Sequence, residues 1–228
     1  MSSYSNQIKG LLERANRRLF GPALRATNDY ATHLPILVGL GRSVKVRSVL
    51  ELGCGKYSTP TFLNRDVFPD LQLLDSYETD PVWAAAIRTA TNTDSRSTLN
   101  LVDGLIADSL VHTNLEAYDL IFVDDSENAD DRTKTIKYLV ERRPRRPFVV
   151  LHDFEFAPYA KMAKSFRHRY PFRVFNPETG VLWEERPLNR KPFKQIDTVL
   201  RKYARKLQPD DVPGWVEAFA SAVPSKTR

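Results

Sequence analysis

Five carboxylates in this chain close apolar runs. Glu51 ends VRSVLE, Glu78 ends LQLLDSYE, and Asp124 follows YDLIFV. Asp103 comes just after Thr98–Val102, and Asp153 comes just after FVVLH, with His152 before it. Short runs rich in Val, Ile and Leu read as buried parallel strands, and ligands bind at the carboxyl edge of such a sheet. Acids gathered there attract a cationic ligand, and His152 with Asp153 adds a pair able to take or give a proton. After Glu51 the chain turns through Gly53 and Gly55, where a missing side chain allows a tight bend and close approach to a ligand. Ser58 and Thr59 then read as N-caps of a helix through Phe62 and Leu63, whose free N–H groups would face the same ligand. Together these residues describe a nucleotide-type site at the tip of the first strand.

Asp and Ser also collect at strand ends as turn residues and helix caps. That role suffices for Asp80, Asp130 and Ser126. It explains Glu51, Glu78, Asp124 and Asp153 less well, because these sit on or directly beyond apolar strands. A phosphate-cradling P-loop is excluded, since it needs Gly five residues before Gly55 and Ser or Thr after Lys56, where the chain has Leu50 and Tyr57. A dinucleotide fold stays open at this point, because Glu78 lies near the distance at which an acid accepts hydrogen bonds from a ribose. Cys54 is expected to pack under the turn, having no nearby histidine in sequence to activate it. His33, beside a turn at Thr32-His33-Leu34-Pro35, is expected to be exposed or capping.

An alternation of strands and helices must position these groups. An amphipathic helix carries Ile8, Leu11, Leu12, Ala15 and Leu19 at helical spacing. The strand over 46–52 leads to the Ser58 helix, and the strand over 71–78 to a helix with Asp80 as N-cap and Pro81 at its first position. The strand over 98–102 leads to a short helix over Leu105–Leu115, that over 118–123 to a helix over Ala129–Arg143, and that over 148–151 to a helix over Pro158–His168. Such alternation implies right-handed crossovers and a parallel sheet covered on both faces. The pattern then breaks, because PFRVFNPETGVLWEE alternates apolar residues on both sides of an Asn-Pro-Glu-Thr-Gly turn, as an antiparallel hairpin does. A second dinucleotide half would have continued with another parallel unit.

With 228 residues and a net charge of +6, the chain has material for one sizeable core with appendages. The domain reading is an N-terminal helical cap over 1–44, a core over 45–188, and a basic C-terminal helix and tail over 189–228. No apolar run approaches the roughly 20 residues of a membrane span, and MSSYSNQIKG lacks the apolar stretch of a signal peptide. A single cysteine excludes an internal disulfide. A soluble, cytoplasmic protein with no membrane partner is therefore expected. Basic residues cluster at Arg142, Arg143, Arg145 and Arg146 and along the last helix, but no aromatics interleave with them to stack on bases, so a nucleic-acid partner is not expected.

The hairpin-closed sheet, ELGCG at Glu51–Gly55, YETDP at Tyr77–Pro81, Asp103-Gly104 and Asp124 resemble the class I S-adenosylmethionine-dependent methyltransferases over roughly residues 45–186. The resemblance implies an α/β, Rossmann-like, doubly wound, mostly parallel sheet of seven strands with a C-terminal antiparallel hairpin, and S-adenosylmethionine as cofactor. It further implies that Gly53 and Gly55 pass under the methionine part of that cofactor and that Glu51 holds its ammonium group, directly or through water. Glu78 would bind both ribose hydroxyls, Asp103 and Gly104 would contact adenine, and Asp124 would lie beside the amino-acid end.

Within that family, IFVDDS and VVLHDF look most like the small-molecule O-methyltransferases of the catechol type and the related sugar methylases. In many of those, the acids matching Asp124 and Asp153 and a following Asn ligate magnesium. Here Phe154 stands where the Asn would be and Glu127 near the place of the lysine base, so no metal ligand is assigned and magnesium is left uncommitted. The implied reaction is in-line methyl transfer to a small-molecule or sugar hydroxyl, with His152 or Asp153 as the base. No Asn-Pro-Pro-Tyr, Asp-Pro-Pro-Tyr or Pro-Cys motif marks a DNA-modifying enzyme. Two alternatives stand beside this reading: RNA methylation through the basic C-terminal helix, with its apolar stripe of Ile196, Val199, Leu200, Tyr203 and Leu207, and a cofactor-binding protein without catalysis. The amphipathic terminal helices offer surfaces for a homodimer.

Overall fold

Seven strands form one sheet, each from an apolar run with turn residues beyond it: β1 Ser48–Leu52, β2 Leu73–Glu78, β3 Ser97–Leu101, β4 Leu120–Val123, β5 Phe148–His152, β6 His168–Phe172 and β7 Thr179–Trp183. In the computed structural model, which describes residues 24–25, 28–91, 94–126, 128–185 and 190–222, they lie in the order β3-β2-β1-β4-β5-β7-β6. The first five run parallel to one another. β7 runs antiparallel to both β5 and β6. The helix expected over Ile8–Leu19 and the residue Glu127 lie outside the described residues.

Eight helices accompany the sheet: α1 Leu34–Ser43, α2 Ser58–Leu63, α3 Pro81–Thr91, α4 Ile106–Ser109, α5 Ala129–Arg142, α6 Ala157–Met162, α7 Lys191–Tyr203 and α8 Val212–Ala222, all among the described residues. Alternation along the strands divides the core in two. Val49, Leu74, Leu120, Phe122, Phe148 and Val150 pack with α1, α2, α7 and α8 on one face. Leu50, Leu52, Ile121, Val123, Val149 and Leu151 pack with α4, α5 and α6 on the other. Parallel strands covered in this way are the doubly wound, Rossmann-like architecture expected, with the hairpin closing it. Among the described residues no helix is long and apolar enough to cross a membrane.

The helix read over Leu105–Leu115 is α-helical only over Ile106–Ser109 and continues as a 3-10 turn over Leu110–His112, and three further elements differ from expectation. The helix read over Pro158–His168 stops at Met162, passes through a 3-10 turn over Ala163–Ser165, and gives way to β6 at His168. His168 is drawn into the sheet by pairing with Trp183 and stacking on its ring at 5.2 Å. Pro171 is tolerated because β6 is an edge strand, where one side of the backbone has no ladder to fill. Thr179 and Gly180, read as turn, begin β7 instead, so the connection lies over Arg173–Glu178.

The third difference is α8, which follows the basic helix and was not expected. Val212-Pro213-Gly214 looks like a chain break, yet proline suits the first turn of a helix, and Trp215, Ala218 and Phe219 then bury at helical spacing. The apolar stripe of α7 is internal: Phe193, Ile196, Val199 and Leu200 are buried in the same core.

α1 reaches its place by unusually close packing. A side chain on Gly39 would begin 2.8 Å from the Cγ2 of Ile196 on α7 and 2.9 Å from the Cζ of Phe219 on α8. The change Gly39→Val gains a few tenths of a kcal/mol of helix propensity but forces these helices apart at a cost of about 1–3 kcal/mol. A lower urea midpoint with an unchanged slope is the expected outcome.

Candidate functional site

The alternation that builds the core also gathers the polar residues. Glu51 has the parity of Val49, Ser76 and Glu78 that of Leu74, and His152 that of Phe148 and Val150, so these side chains all rise on the face covered by α1 and α2. They lie toward the carboxyl ends of adjacent strands, where Asp124 follows β4. Two clusters result, one on β1 and β2 and one on β4 and β5.

In the first cluster Glu51 is fully buried. Its carboxylate accepts from the hydroxyls of Ser58 at 2.6 Å, Ser76 at 2.6 Å and Thr59 at 2.9 and 3.1 Å. Burial pushes its pKa up to about 7, against the opposing pull of these three hydroxyls. Ser58 and Thr59 therefore do not cap α2 as the sequence suggested. The residue at the cap is Tyr57, and both hydroxyls are turned inward to a buried acid that would otherwise be without partners. Thr59 also accepts from the N–H of Gly55 at 3.0 Å, which ties the glycine turn to the acid.

Gly53 requires its lack of side chain. Its φ is +85°, and a Cβ there would stand 2.2 Å from the carbonyl oxygen of Asp124. At the end of β2, Glu78 accepts from the backbone N–H groups of Thr79 and Asp80 through Oε1, at 2.7 and 2.9 Å. Among the described residues its Oε2 receives only the Cys54 thiol, at 3.6 Å. Cys54 is buried, and burial next to Glu51 and Glu78 pushes its thiol far above the usual range, so it packs rather than reacts. Asp80 caps α3 as expected, accepting from Val82 and Trp83. The Trp83 indole donates to the Cys54 carbonyl and steadies the turn. Asp103 and Gly104 lie exposed past β3, and above Gly104 there is no atom within 4 Å of where a Cβ would be.

The second cluster centres on His152. Its Nε2 lies 2.9 Å from the Thr32 hydroxyl, and its Nδ1 lies 3.3 Å from Oδ1 of Asp124. The Thr32 hydroxyl also lies 3.2 Å from the carbonyl of Asp29, to which it can donate, so Thr32 and Asp124 bracket the His152 ring on its two nitrogens. Burial would lower the His152 pKa, but the adjoining Asp124 carboxylate outweighs it and raises the value. Burial works against ionisation of Asp124 as well, yet His152 and Arg132 hold it well below the usual carboxylate range. His33, expected at the surface, is instead buried at the entry to α1, its ring 4.9 Å from both Phe122 and His152. Burial first, and then the charge of His152, push its pKa down to about 3, so it is neutral.

From the opposite face, Arg132 of α5 reaches over the sheet edge. Its guanidinium meets Asp124 at 2.8 Å, Asp153 at 2.5 Å and the Ser126 carbonyl at 2.6 Å, with Asp125 at 3.8 Å. Asp125 is bonded by Thr135, and burial pushes its pKa up to about 6. Asp153 has a φ of +55°, a left-handed conformation costly to a residue with a Cβ, which lifts its carboxylate out of strand alternation. The residues do not suit a magnesium site of the catechol type. The Arg132 cation already bridges Asp124 and Asp153, and the Phe154 ring, packed on Gly180, supplies no oxygen.

Sequence reasoning missed Ser76, Arg132, Thr135 and the inward role of Thr32 and His33. Arg132 did leave a signal: with Thr135, Ile136 and Leu139 it occupies the buried stripe of an amphipathic helix, and a charge placed there demands a partner. Ser76 shares its strand face with Leu74 and Glu78. His33 left none, because its neighbours lie about a hundred residues away.

No family model matches the chain, and no curated protein is detectably similar to it in sequence. Among solved structures, an O-methyltransferase family protein from Burkholderia thailandensis superposes with a TM-score of 0.50 at 14% identity, covering 67% of this chain and 55% of that protein. This chain thus matches about half the length of that protein. Human methyltransferase-like protein 13, in complex with S-adenosylhomocysteine, superposes with a TM-score of 0.51 at 18% identity, covering 79% of this chain and 94% of that one. At these identities the likeness is one of fold.

The buried Glu51 makes stability depend on pH with a definite sign. Its folded pKa is raised, so its contribution is present in full below the unfolded value near 4.5 and is lost as pH rises toward about 7. The change Glu51→Gln removes that dependence. It is expected to leave the protein about 2–3 kcal/mol less sensitive to a shift from pH 5 to pH 8, read as the difference in thermal-melting slope between the two proteins.

Proposed function

We propose that this chain, which has the fold of the class I S-adenosylmethionine-dependent methyltransferases, methylates a hydroxyl group of a small molecule or sugar. The observation that carries the reading is the gathering of Glu51, Ser76, Glu78 and His152 on one sheet face, with Asp124 and Asp153 at the strand ends beside the Gly53 turn. The residues present suit that cofactor. Oε2 of Glu78 has only a weak thiol donor and is free to accept from ribose hydroxyls. The open space over Gly104 beside Asp103 admits a flat ring. Carboxylates around the glycine turn favour a cationic amine and a sulfonium, and Glu51 holds the shape of that turn through Ser58 and Thr59. When bound, the cofactor supplies an activated methyl group on sulfur.

What this chain adds is placement and a proton acceptor. The Asp153 side chain is 35% exposed against 5% for His152, so an acceptor entering over the sheet edge meets Asp153 first. Arg132 holds Oδ2 of Asp153, and Oδ1 lies 3.9 Å from Nδ1 of His152. Asp153 is the group placed to take the proton of the acceptor hydroxyl, and His152 stands behind it, oriented by Thr32 and Asp124.

Two measurements test the reading. Calorimetry of the whole chain with S-adenosylhomocysteine is expected to show stoichiometric binding, and its absence would overturn the assignment. Asp153→Asn is expected to lower methyl transfer to a responsive hydroxyl acceptor by about 10²–10⁴-fold while cofactor affinity stays within about threefold. Unchanged turnover in that variant would remove Asp153 from the mechanism.

A further inference from the structure

His33 is a buried imidazole with no hydrogen-bond partner on either nitrogen. A neutral imidazole carries one donor and one acceptor, and leaving them unanswered in the interior is costly. Thr179, opposite His152 in the β5–β7 ladder and therefore on the same face, also has an unpartnered buried hydroxyl. The third observation is that Nδ1 of His152, whose ring lies 4.9 Å from that of His33, faces carboxylate oxygens of Asp124 at 3.3 Å and of Asp153 at 3.9 Å.

From these three observations together we infer that His33, His152 and Asp124 form a site for a divalent transition-metal ion of the zinc type. One donor atom from each residue lies within 4.8 Å of the others. Around zinc, with ligand distances of about 2.0–2.2 Å, donor atoms stand about 3.3 Å apart, so closing the site takes side-chain movements of about 1 Å. Two imidazoles and one carboxylate suit zinc, cobalt or iron rather than magnesium or calcium, which prefer oxygen alone. The surroundings have the features of a metal centre. With the ion on Nδ1, the Nε2 N–H of His152 would go to the Thr32 hydroxyl, itself 3.2 Å from the Asp29 carbonyl, an outer contact of the kind that orients metal-bound histidines. Asp124, Asp125 and Asp153 surround a single guanidinium, so the carboxylates outnumber the arginine that faces them. Three protein ligands leave a coordination position open. Resting on the function proposed above, an ion there would supply a Lewis acid for the acceptor hydroxyl, with Asp153 as the residue that would take its proton.

The test uses the whole chain equilibrated with Zn²⁺, freed of excess metal and assayed by elemental analysis, with Co²⁺ as an optical probe. About one zinc per chain and a visible Co²⁺ absorption band are expected. His33→Ala is expected to retain less than about a tenth of that zinc while binding S-adenosylhomocysteine as the unaltered chain does. If His33→Ala does not fold, the Co²⁺ titration of the unaltered chain decides alone. Absence of both zinc and the Co²⁺ band, or full zinc retention in His33→Ala, overturns the site. A chain that binds S-adenosylhomocysteine but no metal keeps the methyltransferase reading and loses this one, and a chain that binds metal but no S-adenosylhomocysteine does the reverse.

Discussion

A parallel strand buried on both faces has almost no place for an ionised side chain, because a charge moved out of water must find an equal answer inside the protein. β1 nevertheless carries Glu51 between Val49 and Gly53, fully buried. The rest of the glycine turn is arranged around that fact. Three hydroxyls, from the strand beside it and from the helix after it, converge on one carboxylate. One of them reaches back to the N–H of Gly55, so the acid sets the path of the backbone at the point where the chain must leave the sheet. Loss of this interaction would leave an unpartnered acid beneath the turn, and the turn would have no reason to keep its shape.

The other end of the edge solves the same problem differently. There the answering group is a cation, and Arg132 serves three carboxylates from two loops at once. Because the arginine belongs to α5, on the far face of the sheet, it fastens the ends of β4 and β5 across the edge to the helix that covers them. Removing one partner of such a buried group typically costs about 3–5 kcal/mol, which makes Arg132 a structural tie as much as an electrostatic one. The same guanidinium fixes Asp124 and Asp153 relative to each other, and the Phe154 ring beside them offers no third oxygen for an octahedral ion such as magnesium.

Much of the fold was legible in the sequence for a simple reason. Its strands are short apolar runs with turn residues after them, and its helices carry local start signals such as Asp80-Pro81, so each element declares itself over a few residues. The hairpin was legible from alternation, although Thr179 and Gly180 proved to be strand because pairing with β5 decided the matter. The candidate site was legible only in part. Residues at strand ends could be placed, since topology carries them to one edge. Groups whose partners are remote could not: Thr32 and His33 meet His152 across about 120 positions of sequence, and Ser58 looked like a cap because nothing local reveals a buried acid as its partner.

The two clusters share a face, and that explains the inward turn of α1. Helices α7 and α8 fill the space over β5 and β7, and Gly39 lets α1 press against them so closely that the start of the helix arrives over β4 and β5. His33 is carried there by packing rather than by polar attraction, since its surroundings include Phe122 and its own nitrogens are unanswered. Packing thus sets an imidazole with no partner among the described residues beside a histidine and an aspartate, with a ring nitrogen of each histidine and a carboxylate oxygen within 4.8 Å of one another. A divalent cation held there would tie the strand-end histidine and the helix-start histidine into one rigid unit at the mouth of the sheet.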